Sequence, residues 1–188
     1  RLRTHFGGDD PARWIVAARR WSVGSGGGAQ HRGQRREVPG RGVSRTDVED
    51  LFWLQSEIAV RVALRTAEAI TGEQIGELEW CNRKLAVAVR AGDGPEVADA
   101  EFEFHRIHNL IADSGKLSWF LLSATRYTPT QLYATDPEWG EVAVDSHAKL
   151  ITAYRNGDRE QVIEQTRRQF TDGAARLTKH LESTGIWD

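Results

Sequence analysis

From residue 44 onward, the sequence predicts an all-α protein, an antiparallel bundle of six or more helices. Three observations support this prediction. Apolar residues recur every three or four positions, capping sequences open several of these segments, and turns rich in glycine or proline separate them. No segment in this region shows the clear alternation of apolar and polar residues that is typical of a half-buried strand. Because the connections are short, successive helices are expected to lie antiparallel.

The first two predicted helices begin at capping sequences. Thr46 and Glu49 have the spacing of a capping box, as do Thr71 and Gln74. Apolar residues follow the first box at helical spacing: Val48, Leu51, Phe52, Leu54, Ile58, Val62 and Leu64. After the second box, the inner face is predicted to carry Ile75, Leu78, Leu85, Ala88 and Val89. Gly92 is expected to end the second helix.

Four more helices complete the predicted bundle. Pro95 suits the first turn of a third helix that reaches about Ala112, and Ser114–Gly115 is expected to end it. The remaining helices are predicted over residues 117–127, 138–155 and 158–181. Asn156–Gly157 separates the last two helices.

The charge distribution divides the chain into residues 1–43 and 44–188. The first part contains nine arginines and three acidic residues, a net charge of +6, together with half of the 18 glycines. The second part carries 16 basic and 24 acidic residues, a net charge of −8. We interpret the first part as a basic Gly/Arg-rich segment, a degraded or incomplete DNA-binding region. Its composition also fits a disordered tail.

Composition argues against membrane and disulfide-rich classes. Hydrophobic residues make up 39% of the chain, and mean hydropathy is −0.52. No apolar run approaches the roughly 20 residues that span a bilayer, and the N-terminus lacks the apolar stretch of a secretory signal. The one cysteine, Cys81, is expected to be a small buried hydrophobe. These features predict a cytoplasmic protein without a membrane partner.

The segment Glu101-Phe-Glu-Phe-His105 is the strongest functional feature of the sequence. A spacing of four places Glu101 and His105 on one helix face, one turn apart. A carboxylate and an imidazole are ligands that divalent transition metals accept. The alternative is a solvated pair, which many helices carry.

These residues and their order resemble the FadR-type C-terminal effector domain (FCD domain) of GntR-family transcription regulators. The matching segments are Gln55-Ser-Glu57, Glu101-Phe-Glu-Phe-His105, Ser114-Gly115, Asp145-Ser-His147 and Ala153-Tyr-Arg-Asn-Gly-Asp158. The resemblance covers about residues 44–188. It implies a homodimeric, all-helical domain that binds a small organic acid or acyl effector.

The resemblance also implies a divalent metal, zinc or nickel, on one acidic residue and three histidines. Glu101 lies where aspartate is usual, His105 and His147 match, and Gln169 lies where the last histidine is expected. The metal is therefore an open question for this chain. His108 is either a substitute ligand or a packing residue.

Effector contacts are expected from Gln55, Arg126 and Tyr127. Gln55 replaces an arginine often found on the first helix of the family. Arg126 suits an anionic effector, or else it is a solvated residue that complements the end of the fourth helix. Phe102, Phe104 and the pair Trp119–Phe120 either line an apolar pocket or pack in the core.

DNA binding is implied by the winged helix-turn-helix that precedes this domain in the family. Residues 38–43 resemble the wing of that fold, which would place Arg41 near the DNA backbone. The expected recognition-helix sequence does not appear upstream. An irregular segment therefore stands in place of an intact winged helix-turn-helix.

The resulting interpretation is a metabolite-responsive transcription regulator, not an enzyme. Its alternative is a metalloenzyme with a two-histidine, one-carboxylate site formed by Glu101, His105 and His147. A third alternative is an interaction bundle without a small-molecule site.

Overall fold

The structure, a computed structural model, describes residues 44–125, 137–183, 185 and 187. These residues form six helices and no strands, which confirms the predicted all-α bundle over this part of the chain. The helices are α1 (Arg45–Ala69), α2 (Gly72–Ala91), α3 (Gly94–Ile111), α4 (Gly115–Thr125), α5 (Pro137–Asn156) and α6 (Arg159–Ser183). All six belong to one unit, Gly42–Asp188. The predicted irregular N-terminal segment lies outside the described residues.

Helix α1 begins earlier than predicted, because its capping box uses Ser44 and Asp47, not Thr46 and Glu49. The amide of Asp47 donates to the Ser44 hydroxyl at 3.1 Å, and the amide of Ser44 donates to the Asp47 carboxylate at 2.8 Å. Both sequence pairs have the spacing of a capping box. With the earlier pair in use, Val48 lies within the first turns of the helix and is 2% exposed.

The residues that cap α2 and begin α3 agree with the sequence prediction. Thr71 and Gln74 form the predicted capping box. Gly92 has φ of +66°, in the left-handed region that glycine tolerates, and it ends α2. Asp93 caps α3, and Pro95 lies in its first turn.

The turn between α3 and α4 differs from the prediction. The left-handed residue is Asp113, with φ of 44°, and Gly115 is already the first residue of α4. Aspartate tolerates this conformation better than most residues. Between α5 and α6, Gly157 has φ of +64°, and the Asp158 carboxylate accepts a hydrogen bond from the Gln161 amide at 3.0 Å.

The hydrophobic core lies where the helices pack against one another. Helix α1 packs along α6, while α2 packs against both α3 and α5; α5 also contacts α6, and α4 lies on α1. The largest buried cluster draws on α1, α2, α3, α5 and α6: Ala63, Leu78, Cys81, Phe104, Leu150, Ile151, Ala153, Tyr154 and Val162. Burial raises the pKa of the Cys81 thiol, which suits the predicted role of a small buried hydrophobe.

Two glycines permit close helix contacts. A Cβ added at Gly173 of α6 would lie 2.7 Å from a ring carbon of Phe52 on α1. A Cβ at Gly140 of α5 would lie 2.5 Å from a methyl carbon of Val89 on α2. An alanine at either position would force the neighbouring side chain or helix to move. The absence of a side chain at Gly173 and Gly140 therefore allows each pair of helices to lie this close together. Within the described residues, none of the helices has the length and apolar character needed to cross a membrane.

Candidate metal and effector site

Helices α3 and α5 bring three candidate ligands together. On α3, the Glu101 carboxylate lies 3.4 Å from Nε2 of His105, one turn away. His147 approaches from α5, with its Nε2 3.9 Å from the same carboxylate oxygen. One ligand atom from each residue lies within 4.8 Å of the other two. The tertiary structure therefore brings His147 close to Glu101 and His105, although more than 40 residues separate it from them in the sequence.

The spacing of these atoms fits a divalent metal. Bond lengths of 2.0–2.1 Å in a tetrahedral site separate ligand atoms by about 3.4 Å. The Glu101–His105 distance already has this value, and the Glu101–His147 distance of 3.9 Å requires a shift of about half an ångström. All three ligand atoms lie within 4.8 Å of one another, so the side chains would have to draw closer together to hold a metal. The donor set of two imidazoles and a carboxylate suits zinc or nickel.

The imidazole of His147 is buried and oriented by an aromatic ring. His147 is 2% exposed and stacks on Phe104, with ring centroids 3.7 Å apart and planes within 11°. Burial lowers the pKa of His147 to about 4, although the Glu101 charge opposes this shift. The imidazole is consequently neutral at neutral pH, which is the form that binds metals. Among the described residues, its buried Nδ1 has no hydrogen-bond partner.

Glu101 is an ionised carboxylate in this site. Burial acts to raise its pKa, but the interaction with His147 and the hydrogen bond from His105 outweigh burial and lower it. Its second oxygen, Oε1, is buried and has no hydrogen-bond partner in the described part of the chain. An unsatisfied buried oxygen is costly, so this atom favours a cation or a donor beside it.

Gln169 lies in the wall of a cavity that His105 also lines. The cavity has a volume of about 30 Å³, room for roughly one water molecule, and Phe104, His108 and Leu121 also border it. The amide nitrogen of Gln169 is buried and lacks a hydrogen-bond partner within the described residues. Gln169 thus shares a cavity with His105, whereas Glu101 and His147 do not line it, and the role of Gln169 as a ligand stays a prediction.

His108 belongs to a separate hydrogen-bond network. Its Nε2 lies 2.6 Å from the Tyr154 hydroxyl, and its Nδ1 lies 3.2 Å from the Asn109 side-chain oxygen. We assign the proton to Nδ1, because Asn109 offers an acceptor and the Tyr154 hydroxyl then donates to Nε2, which is nearer to it than the Ala63 carbonyl at 3.4 Å. Thr66 donates to the backbone oxygen of His108 at 3.1 Å. Both ring nitrogens are engaged, so the packing interpretation of His108 fits better than a substitute ligand.

The other predicted contact residues have different locations. Gln55 is 2% exposed, and its amide donates to the Leu51 carbonyl of its own helix at 3.2 Å. Arg126, Tyr127 and Arg41 lie outside the described residues. Their expected roles in effector and DNA binding therefore stay predictions.

The aromatic residues divide between the core and the surface. Phe104 is fully buried and borders the cavity, whereas Trp119 and Phe120 are about half exposed and contact each other edge to face. Sequence reasoning missed the stacking role of Phe104 and the partnership of Tyr154 with His108. Phe104 directly precedes His105, but its contact with His147 depends on how α3 and α5 pack.

Comparison with known proteins identifies the class of the helical domain. The model of the FCD domain matches residues 50–172. This match spans more than half of the chain. The chain belongs to the FCD domain family, the C-terminal domain of GntR-family regulators.

A solved structure shows the same fold. E. coli McbR/YncC, a GntR-family regulator, matches with a TM-score of 0.66 and 16% sequence identity, over 74% of this chain and 71% of that chain. At this identity, the similarity shows the fold. A search of curated proteins found no match. Together, the family and the fold support a GntR-type transcription regulator.

Proposed function

We propose that the chain is a metabolite-responsive transcription regulator that binds a small carboxylate or acyl effector in its helical domain, next to a divalent metal. One observation carries this proposal. Ligand atoms of Glu101, His105 and His147 lie within 4.8 Å of one another. Their protonation states, an ionised carboxylate and at least one neutral imidazole, suit coordination.

The residues have distinct roles in the proposed site. Glu101, His105 and His147 would hold zinc or nickel, and a bound metal would offer open positions to a carboxylate oxygen of the effector. Gln169 replaces an imidazole donor with an amide. Its unpaired amide nitrogen is a suitable donor to an anionic effector. Because an amide is a weaker ligand than an imidazole, we expect this site to bind the metal less tightly than a site with three histidines.

Effector entry requires the bundle to move. A cavity of about 30 Å³ holds one water molecule, whereas even a small carboxylate is larger. Leu121 of α4 forms part of its wall, and α4 packs mainly on α1. We infer that the effector displaces α4, which provides two states of the domain for a ligand to select between.

The way in which the chain would control transcription is proposed by analogy with the family. An N-terminal head would contact DNA, with Arg41 near a phosphate, and two copies of the chain would read two half-sites. Displacement of α4 would change the separation of the two heads. The proposed regulator acts in the cytoplasm.

Metal analysis and thermal melting test this proposal. The purified chain is expected to contain zinc or nickel, and its melting temperature is expected to rise with added metal and again with an effector from a panel of small carboxylic acids and acyl-CoA thioesters. His105→Ala should abolish the metal response. His180→Ala is the matched control, because His180 is an exposed histidine of α6. An unchanged melting temperature with every metal and every effector would contradict the proposal.

The metalloenzyme alternative uses the same three ligands. Stoichiometric iron, together with turnover of a 2-oxo acid, would favour it over the regulator. The match to the FCD domain family favours the regulator.

A further inference from the structure

The cavity beside the candidate metal site has no lysine, arginine, aspartate or glutamate in its wall, as far as the described residues go. Its polar lining consists of imidazole, amide and hydroxyl groups: His105, His108, Asn109, Thr166 and Gln169. His108 is neutral near neutral pH, because burial lowers its pKa to about 4. A charged group that enters this cavity therefore meets no fixed opposite charge in the described part of its wall.

The charge of the metal site limits how many carboxylates an effector can carry. Glu101 is ionised, whereas ligating imidazoles are neutral. The two positive charges of a bound zinc or nickel ion would exceed the single negative charge of Glu101 by one. One effector carboxylate balances this excess. A second carboxylate in the same cavity would be buried without a counter-charge from the described residues, which is strongly unfavourable.

Two glutamines of α6 offer hydrogen bonds of opposite kinds, one turn apart. The amide nitrogen of Gln169 and the amide oxygen of Gln165 are both buried, and neither has a hydrogen-bond partner among the described residues. Gln165 is 8% exposed, and its own nitrogen donates to the Gln161 side chain at 3.1 Å. Gln169 lines the cavity, and Gln165 directly precedes Thr166 of the same wall. A spacing of four places the unpaired donor and the unpaired acceptor on one face of α6.

Helix α4 adds a third buried polar group. The hydroxyl of Ser118 is buried and lacks a hydrogen-bond partner within the described residues. Ser118 lies three residues before Leu121, which lines the cavity, so the two side chains share a face of α4. A hydroxyl both donates and accepts hydrogen bonds. Buried polar groups without partners are costly, so three of them around one cavity favour a polar ligand.

We propose, on the basis of the metal-dependent regulator described above, that the effector is a small hydroxy acid, a monocarboxylate whose hydroxyl groups are recognised by Gln169 and Gln165. The carboxylate takes an open position on the metal. Hydroxyl groups accept from the Gln169 amide nitrogen and donate to the Gln165 amide oxygen. A hydroxyl serves both partners, whereas a carboxylate oxygen only accepts and an alkyl chain does neither.

Isothermal titration calorimetry of the zinc-loaded chain with two sets of acids tests this effector class. Each set has a constant number of carbon atoms: glycerate, propanoate and malonate in one, and threonate, butanoate and succinate in the other. In at least one set, the hydroxy acid should bind about tenfold or more tightly than both other acids, because they leave the buried amides unpaired. Zinc content measured after each titration establishes that the acid has not removed the metal.

Two results of this titration overturn the proposal. Equal affinities within both sets show that the hydroxyl groups are not recognised. Tighter binding of malonate or succinate shows that a second carboxylate is tolerated, and it would point to a cation outside the described residues, such as Arg126.

Gln169→Leu tests the recognition of the hydroxyl groups directly. Leucine removes the amide, so the preference for the hydroxy acid over the unsubstituted acid of its set should largely disappear. If Gln169 acted only on the metal, both acids would weaken alike and their ratio would stay the same, which overturns the assignment. Thr171→Val is the matched control, because Thr171 is an exposed residue of α6, and it should retain the preference.

A second variant and a second readout keep the test decisive. Far-UV circular dichroism establishes that each variant is folded, and if Gln169→Leu unfolds, the same ratio in Gln165→Met decides. A melting temperature that responds to an acyl-CoA thioester or a dicarboxylate, but to no hydroxy acid, would leave the regulator standing and overturn this effector class. No response to any metal or any acid would overturn both.

Discussion

The imidazole of His147 on α5 lies flat against the phenyl ring of Phe104 on α3, with ring centroids 3.7 Å apart. This contact fixes the ring plane of a candidate ligand from a neighbouring helix. It also turns Nε2 of His147 toward Glu101. An aromatic pair thus performs the orienting role that second hydrogen bonds usually have around ligating histidines.

Phe104→Leu should weaken metal binding without changing a ligand. Leucine fills much of the space, so the loss of unfolding free energy should be about 1–2 kcal/mol. Without the stacking contact, the His147 ring is less well oriented, and we expect metal affinity to fall about tenfold. Competition with a chromophoric chelator measures the affinity, and urea unfolding measures stability. Unchanged affinity would show that the backbone alone positions His147.

Gln169→His should strengthen the metal site. The change supplies a third imidazole from α6, so affinity for zinc or nickel should rise about tenfold or more, which corresponds to about 1.4 kcal/mol. Gln161→His, at an exposed position of the same helix, is the control and should have no such effect. Isothermal titration calorimetry of metal-free protein gives both values. Equal affinities in the two variants would place residue 169 too far from the metal.

Acid should destabilise the metal-free protein in a defined pH range. Burial lowers the pKa of both His108 and His147 to about 4 in the folded state, below the usual 6.5. Between these pH values, the unfolded chain binds more protons than the folded chain does. The unfolding free energy should therefore fall as pH drops from 6.5 to 4, by up to about 3 kcal/mol for each histidine.

Urea unfolding at several pH values checks this expectation, with chelator present to exclude metal. His108→Gln should be less stable near neutral pH but should show a shallower decline below pH 6.5. Parallel curves for the variant and the natural sequence would exclude His108 as a source of the pH dependence.

Gly173→Ala should destabilise the packing of α1 against α6. The added Cβ would lie 2.7 Å from a ring carbon of Phe52 and 3.3 Å from a ring carbon of Trp139, so the Phe52 ring would have to shift. Overpacking of this kind costs about 1–3 kcal/mol. Gly72→Ala is the matched control, because nothing lies within 4 Å of its added Cβ. Thermal unfolding compares the two, and equal midpoints would show that Phe52 yields freely.

Local sequence patterns determined the helices and most of their ends. Capping and turn residues such as Thr71, Gly92 and Gly157 act within one or two turns of chain, so their effects can be read from neighbouring residues. The errors were also local. Two overlapping capping boxes competed at the start of α1, and Asp113, not glycine, took the left-handed position before α4.

Sequence alone also placed Glu101 and His105 on one face, because a spacing of four has a fixed meaning on a helix. Only the tertiary structure decided that His147 meets them, that Phe104 supports its ring and that His108 is held by Tyr154. These contacts join residues more than 40 positions apart. They depend on how α3 and α5 pack against their neighbours, and no short-range pattern encodes that packing.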